Sequence, residues 1–282
     1  MIQSDFHIHS EYSYDAALKL SEIAEGAAAC GFTRIGITDH ANYNDPPFLS
    51  DARRSAAAVK EAQKKYPFML SGVELTPIQK TQFDYIAKHG TRDGYVLPTG
   101  ADRYGLELAM TKEEMVSLGM RYAIGASHWR TDTIGTGEGD GDAESLMREL
   151  FRQQLWLAQD ERVTILGHPW YHGRAPWYQD FSMIPRTMQN ELCAALLENG
   201  KCAECNTGVM LLFEERERYQ YAEYLREMLE SGIRITFGSD SHKAYNDNRK
   251  GTGRGDIEIE KYLLAAGFKP GDFYTLQQSD LW

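Results

Sequence analysis

Two histidines one residue apart set the first chemical expectation for this chain. The segment Asp5-Phe6-His7-Ile8-His9 reads as a β-strand, so His7 and His9 share a face while Phe6 and Ile8 pack opposite. Two imidazoles on one face can grip one cation. A lone His-x-His is more often a pair of ordinary strand histidines, and only further ligand types elsewhere in the chain shift that weight. Asp39-His40, Glu74, His128, His168-Pro169 and Asp240-Ser241-His242 each stand at the end of a short apolar run. Six of the eight histidines fall at or just past such an end, where chance would scatter them. Neutral imidazoles gathered with ionised Asp and Glu suit Zn, Mn or Fe, so metal binding is the expected chemistry.

The elements that must gather these residues alternate between β and α patterns. Strands are expected at residues 5–9, 34–39, 68–74, 122–128, 163–168, 201–206 and 234–240, and helices at 21–30, 51–65, 142–159, 187–199, 214–231 and 256–266. Gly31, Gly200, Gly232 and Gly267 follow the last periodic residues of helices, where a left-handed backbone suits glycine. Tyr221, Leu225, Met228 and Leu229 recur at helical spacing and describe a buried face. Two stretches break the rhythm. Residues 77–111 read as an insertion with a strand-like piece at 83–88, whose Asp84 and His89 stay off the ligand set, and residues 131–142 read as a Gly- and acid-rich loop. One domain over residues 1–282 is expected. In a parallel α/β barrel the strand ends converge on one face, where active sites of that architecture are built.

In order along the chain, His7-x-His9, Asp15, Asp39-His40, Glu74, His128, His168-Pro169 and Asp240-Ser241-His242 resemble the PHP (polymerase and histidinol phosphatase) superfamily. The later segments Glu204-Cys-Asn-Thr-Gly208 and Gly238-Ser-Asp-Ser-His-Lys243 are most similar to its histidinol-phosphatase-type phosphoesterases. The resemblance implies a distorted (β/α)7 TIM-like barrel with up to three divalent ions, Zn, Mn or Fe. It implies His7, His9, Glu74 and Asp240 around the first ion, with Glu74 bridging to a second held by His128 and His168. Asp15, His40 and His242 would hold the third. For Asp15 the other reading is a solvated turn aspartate. Asp39 and Asn206 are expected to orient ligands rather than bind metal. The implied reaction is metal-dependent hydrolysis of a phosphomonoester of a small metabolite, histidinol phosphate being one candidate. Two ions sharing a water yield a hydroxide near neutral pH and clamp the entering and leaving oxygens at phosphorus.

Phosphate also calls for a guanidinium or ammonium. Arg130, Arg174 and Lys243 stand nearest the ligands in sequence, although a solvated surface role fits each equally well. With Glu74, Arg130 and His172 complete the expected catalytic set, His172 as general acid to the leaving alkoxide. Trp129, Trp170, Tyr171, Trp177 and Tyr178 form either a wall for an organic leaving group or core packing. The pair Cys202 and Cys205 lacks the second pair of a structural zinc site. A net charge of −11 over 282 residues disfavours extended nucleic acid and membrane surfaces, while bound ions would still draw a phosphate locally. No run reaches the ~20 apolar residues of a membrane span, and the opening segment lacks secretory-signal character, so a cytoplasmic enzyme is expected, with no oligomeric state implied. Other readings are a phosphodiesterase on nucleotides or short oligonucleotides, a non-catalytic metal-binding scaffold and, on barrel analogy alone, an amidohydrolase.

Overall fold

Seven parallel strands hydrogen-bond in sequence order around a ring. The computed structural model describes residues 2–89, 105–128, 143–171, 180–246 and 258–282. The first strand (Ser4–Ile8) pairs with the second (Arg34–Ile37, continued by His40–Ala41), and the second with the third (Met69–Ser71, continued by Val73–Leu75). The fourth (Ala123–Gly125), fifth (Ile165–Leu166), sixth (Cys202–Asn206) and seventh (Arg234–Gly238) strands follow in turn. The Asp240 N–H donates to the His7 carbonyl at 2.8 Å and the His9 N–H to that of Ser241 at 3.0 Å, which joins the last strand to the first. This is the α/β, TIM-like distorted barrel expected from the βα rhythm and the resemblance.

Helices cover the outside of the ring because each carries one apolar stripe. Along Leu20–Ala29 the buried residues are Leu20, Ile23, Ala24 and Ala27; along Glu215–Glu230 they include Tyr221, Leu225 and Met228. Burying a Leu, Ile or Met side chain contributes about 1.5–3 kcal/mol, so these stripes, more than helix propensity, fix the helices on the barrel. Both helices end before a glycine with positive φ, Gly31 at 81° and Gly232 at 97°. Helix Lys112–Ser117, which the periodicity does not announce, has a local cause in a reciprocal cap between Thr111 and Glu114.

Inside the ring, Tyr122 fills the space beneath the site. Its hydroxyl donates to the Phe6 carbonyl at 2.7 Å, and its ring runs over two strands where only glycine leaves room. A Cβ on Gly36 would stand 1.7 Å from that hydroxyl, and one on Gly72 2.7 Å from the ring. Phe6, Ile124, Ala126, Ile165, Cys202 and Leu276 complete this interior cluster. Leu276 comes from the C-terminal segment, which Arg34 and Arg234 hold across the start of the strands through Leu276 O and Asp280. One mouth of the barrel is thereby covered by the chain's own tail.

Two local expectations are corrected. Phe6 does not share a face with Ile8: the register slips between Asp5 and Ile8, and the two side chains enter different apolar clusters. Such a bulge re-aims side chains, which lets Phe6 pack inside the barrel while His7 still turns to the site. Residues 83–88 are not strand-like but lie within helix Lys80–His89, whose buried Gln82 and Ile86 are four apart. On it Asp84 and His89 are exposed. Strands Ile78–Gln79 and Leu106–Glu107, near the two ends of the insertion, pair antiparallel. Among the described residues no helix is long and apolar enough to cross a membrane.

Candidate metal centre

Glu74 stands at the centre of the open mouth. Its carboxylate is 1% exposed, and neither oxygen has a hydrogen-bond donor. Two separate groups of imidazoles meet those oxygens. His7 Nε2 and His9 Nε2 each lie 3.3 Å from Oε2, while His128 Nε2 and His168 Nε2 lie 3.2 and 3.4 Å from Oε1. His40 Nδ1 is 2.9 Å from Oε2 but off the line of a hydrogen bond.

Asp240 joins the first group, its Oδ1 3.2 Å from His9 Nε2 and 3.6 Å from His7 Nε2. To one side, Asp15 Oδ2 lies 3.3 Å from His40 Nε2 and 3.5 Å from His242 Nε2, and the His9 ring stacks on both of those imidazoles. His7, His9 and Asp240, then Glu74, His128 and His168, and then His9, His40 and His242 each present ligand atoms mutually within 4.8 Å. The nine expected ligands lie in one cup; the third group has His9 beside the expected His40 and His242, and Asp15 borders it through those last two imidazoles.

The sequence places them there because each lies in the last residues of a strand or in the loop that follows it, Asp15 in the loop after the first strand. His7 and His9 close the first, His40 the second, Glu74 the third, and His128 and His168 follow the fourth and fifth. Asp240 and His242 follow the seventh. His168 and Asp240 have positive φ, 25° and 54°, which costs a non-glycine residue on the order of 1–3 kcal/mol. Such backbone persists only where the surroundings over-determine it. Trp170, also at positive φ, anchors the turn after His168 by donating its indole N–H to the Tyr224 hydroxyl at 2.8 Å.

Imidazole tautomers are set from behind. His7 Nδ1 lies 2.7 Å from Glu204 Oε1, His128 Nδ1 2.8 Å from Thr76 Oγ1, and His242 Nδ1 2.9 Å from the Asp240 carbonyl. The Thr76 hydroxyl itself donates to Asn42 Oδ1, which leaves it an acceptor toward His128. With Nδ1–H engaged, each Nε2 lone pair faces the cup, the arrangement typical of metal-bound histidines.

Charge follows the same plan. Burial alone would push Glu74 up, yet His7, His40 and His128 hold it well below the usual carboxylate range. Asp240 is likewise held down, against burial, by His7, His9 and His242. Burial opposes a charged His7, but Glu204, Glu74 and Asp240 raise it well above an ordinary imidazole; His40, also against burial, is pushed up to about 10 by Glu74 and Asp15. Burial pulls His128 down. A cup of ionised carboxylates that raises its imidazoles wants positive charge. Divalent cations on neutral rings supply it, and with the donorless oxygens of Glu74 the residues present fit Zn, Mn or Fe.

Several neighbours serve other ends. Asp39 accepts from Ser10 N, Ser10 Oγ and Ser55 Oγ at 2.5–2.6 Å, so it anchors the loop after His9. Asn206 Nδ2 donates to Asp240 Oδ2 at 3.1 Å and to Glu204 Oε2 at 3.2 Å. Trp170 is fully buried and Tyr171 half-buried, its ring centre 5.4 Å from that of His168 in an edge-to-face contact; Trp129, Trp177 and Tyr178 lie outside the described residues. Arg130, His172 and Arg174 also lie outside them, and Lys243 is exposed. Cys202 and Cys205 are buried in different apolar clusters and cannot converge on one ion. The sequence patterns include Glu204 and Asp5 but assign neither a role. Asp5, which burial pushes up to about 7 against its hydrogen bonds, accepts from the backbone N–H groups of His7 and Ser239. A carboxylate inside an expected strand was the available signal for both.

Comparison with known proteins agrees with this architecture. A "Probable histidinol-phosphatase" from Thermotoga maritima is 22% identical over 266 residues, 94% of this chain and 93% of that protein. The crystal structure of histidinol phosphate phosphatase from Lactococcus lactis subsp. lactis, complexed with zinc, L-histidinol and phosphate, superposes with a TM-score of 0.62. It is 20% identical, and the match covers 95% of this chain and 94% of that one. A structure from Listeria monocytogenes has the same TM-score of 0.62 at 16% identity, covering 85% and 95%. The family model described as PHP domain matches residues 5–208, and with this match over most of its length the chain belongs to the PHP domain family.

Proposed function

We propose that this protein is a metal-dependent phosphoesterase that hydrolyses a phosphomonoester of a small metabolite. The observation that carries the reading is Glu74, a buried carboxylate with no donor on either oxygen and a different set of imidazoles facing each: His7, His9 and His40 at Oε2, His128 and His168 at Oε1. That is the layout of a residue shared between two cations. His7, His9, Glu74 and Asp240 would hold one ion, Glu74, His128 and His168 a second, and Asp15, His40 and His242 a third. Divalent ions bound there activate water and neutralise charge on the oxygens of an in-line displacement at phosphorus.

The chain's own residues supply the rest. Thr76 and the Asp240 carbonyl fix the tautomers of His128 and His242, so the cup is preorganised before substrate arrives. Arg130, Arg174 and Lys243 are assigned to the phosphate oxygens and His172 to protonation of the leaving alkoxide, on their positions beside the ligands in sequence. Histidinol phosphate is the candidate substrate, supported by the names of the Thermotoga and Lactococcus relatives.

Glu74→Ala tests the reading. The variant should lose most of its bound metal by elemental analysis and all measurable hydrolysis of p-nitrophenyl phosphate, because one change removes ligands from two sites. Near-normal activity would refute it. Hydrolysis of the bis-ester in preference to the monoester would instead favour the phosphodiesterase reading.

A further inference from the structure

Six of the seven strands deliver a member of the metal cup at or just past their C-terminal ends; the sixth, Cys202–Asn206, delivers none. It turns Glu204 and Asn206 toward the cup instead. Glu204 is 1% exposed and, unlike Glu74, has both oxygens engaged. Oε1 faces His7 Nδ1 at 2.7 Å, while Oε2 accepts from the His168 backbone N–H at 2.7 Å and from Asn206 Nδ2 at 3.2 Å. Asn206 passes the contact on to Asp240 Oδ2 at 3.1 Å.

We propose that Glu204 is a positioning residue shared by the two groups of ligands that meet at Glu74. It binds no metal. Its two oxygens set the tautomer of His7 in one group and hold the left-handed backbone of His168 in the other. The inference rests on the metal-centre reading above and deepens it.

A second observation shows that the fold keeps this contact open. A Cβ on Gly238, in the seventh strand, would stand 1.9 Å from Glu204 Oε1 and 2.7 Å from His7 Cβ. Only glycine there lets the carboxylate pass between the strands to the ring. Mere filling of space beneath the cup would not require an acceptor on both oxygens, and an isosteric amide would then serve as well.

Zinc affinity, measured by chelator competition, decides the matter for the wild type, Glu204→Gln and Gly238→Ala. Glutamine keeps the size but has one acceptor oxygen, so an N–H group must face either His7 Nδ1–H or the His168 N–H. Glu204→Gln should bind zinc about 10- to 100-fold more weakly, the usual effect of losing a partner behind the ligands, while the metal-free protein melts as the wild type does. A folded Glu204→Gln with zinc affinity within about twofold of wild type overturns the proposal and leaves the metal centre standing. If the wild type itself binds no zinc, the metal-centre reading fails and the proposal with it. Should Glu204→Gln not fold, Gly238→Ala is read by the same criterion: its methyl crowds Glu204 Oε1 and His7 Cβ together, so weaker zinc binding is expected, and an affinity within about twofold of wild type overturns the proposal.

Discussion

At the scale of single residues, the centre is a contest between protons and cations for the same nitrogens. His7 is raised well above an ordinary imidazole, and His40 to about 10, so both rings hold protons at neutral pH when no cation is bound. A metal ligand must be a neutral ring, so binding expels those protons. Raising the pH removes the competitor: zinc affinity should strengthen from about pH 6 to pH 8 and weaken on return. Competition titrations at fixed ionic strength read this directly, and a flat profile would show that the rings are already neutral. The candidate ligands other than Asp15 were legible in sequence because each lies at the end of an apolar run, a place the fold dictates locally; Asp15 came from the family resemblance alone. Glu204 was not, since its meaning depends on His7, 197 residues away.

Between elements, the decisive contacts are close approaches that no pattern of hydrophobicity reports. Gly36 and Gly72 make room for the Tyr122 ring across the barrel interior. Gly36→Ala should cost about 1–3 kcal/mol of stability by overpacking, and Tyr122→Phe about 1 kcal/mol through the lost hydrogen bond to the Phe6 carbonyl. Because the alanine methyl and the phenol oxygen compete for one space, the double variant should be more stable than the sum of the single effects allows. Urea unfolding midpoints of the four proteins test this; strict additivity would mean that the ring simply moves aside. The same limit explains the two misread segments. Strand alternation predicted the faces of the first strand correctly except across its bulge, and the aromatic content of residues 83–88 hid a helical spacing of Gln82 and Ile86.

On the scale of the whole molecule, an acidic chain places a buried cluster of carboxylates and imidazoles at one mouth of a barrel whose other mouth is covered by its own C-terminal segment. Metal should therefore act as part of the fold. Zinc at 100 times its dissociation constant stabilises a protein by about 2.7 kcal/mol per independent site, so chelation should lower Tm by several degrees, and zinc should restore it. A Tm indifferent to chelator would show that the cup gains nothing from a cation. The sequence by itself determined the βα order, most helix ends and the set of imidazoles and carboxylates at strand ends, because those depend on neighbours a few residues apart; the helix expected at 51–65 instead begins at Pro46 and ends at Ala62. Only the tertiary structure decided that His40 also faces Glu74, that Glu204 and Gly238 stand behind His7, and that Trp170 is core. Each of those is a distance between strands, and distances across a barrel depend on closure, register and one bulge rather than on any local pattern.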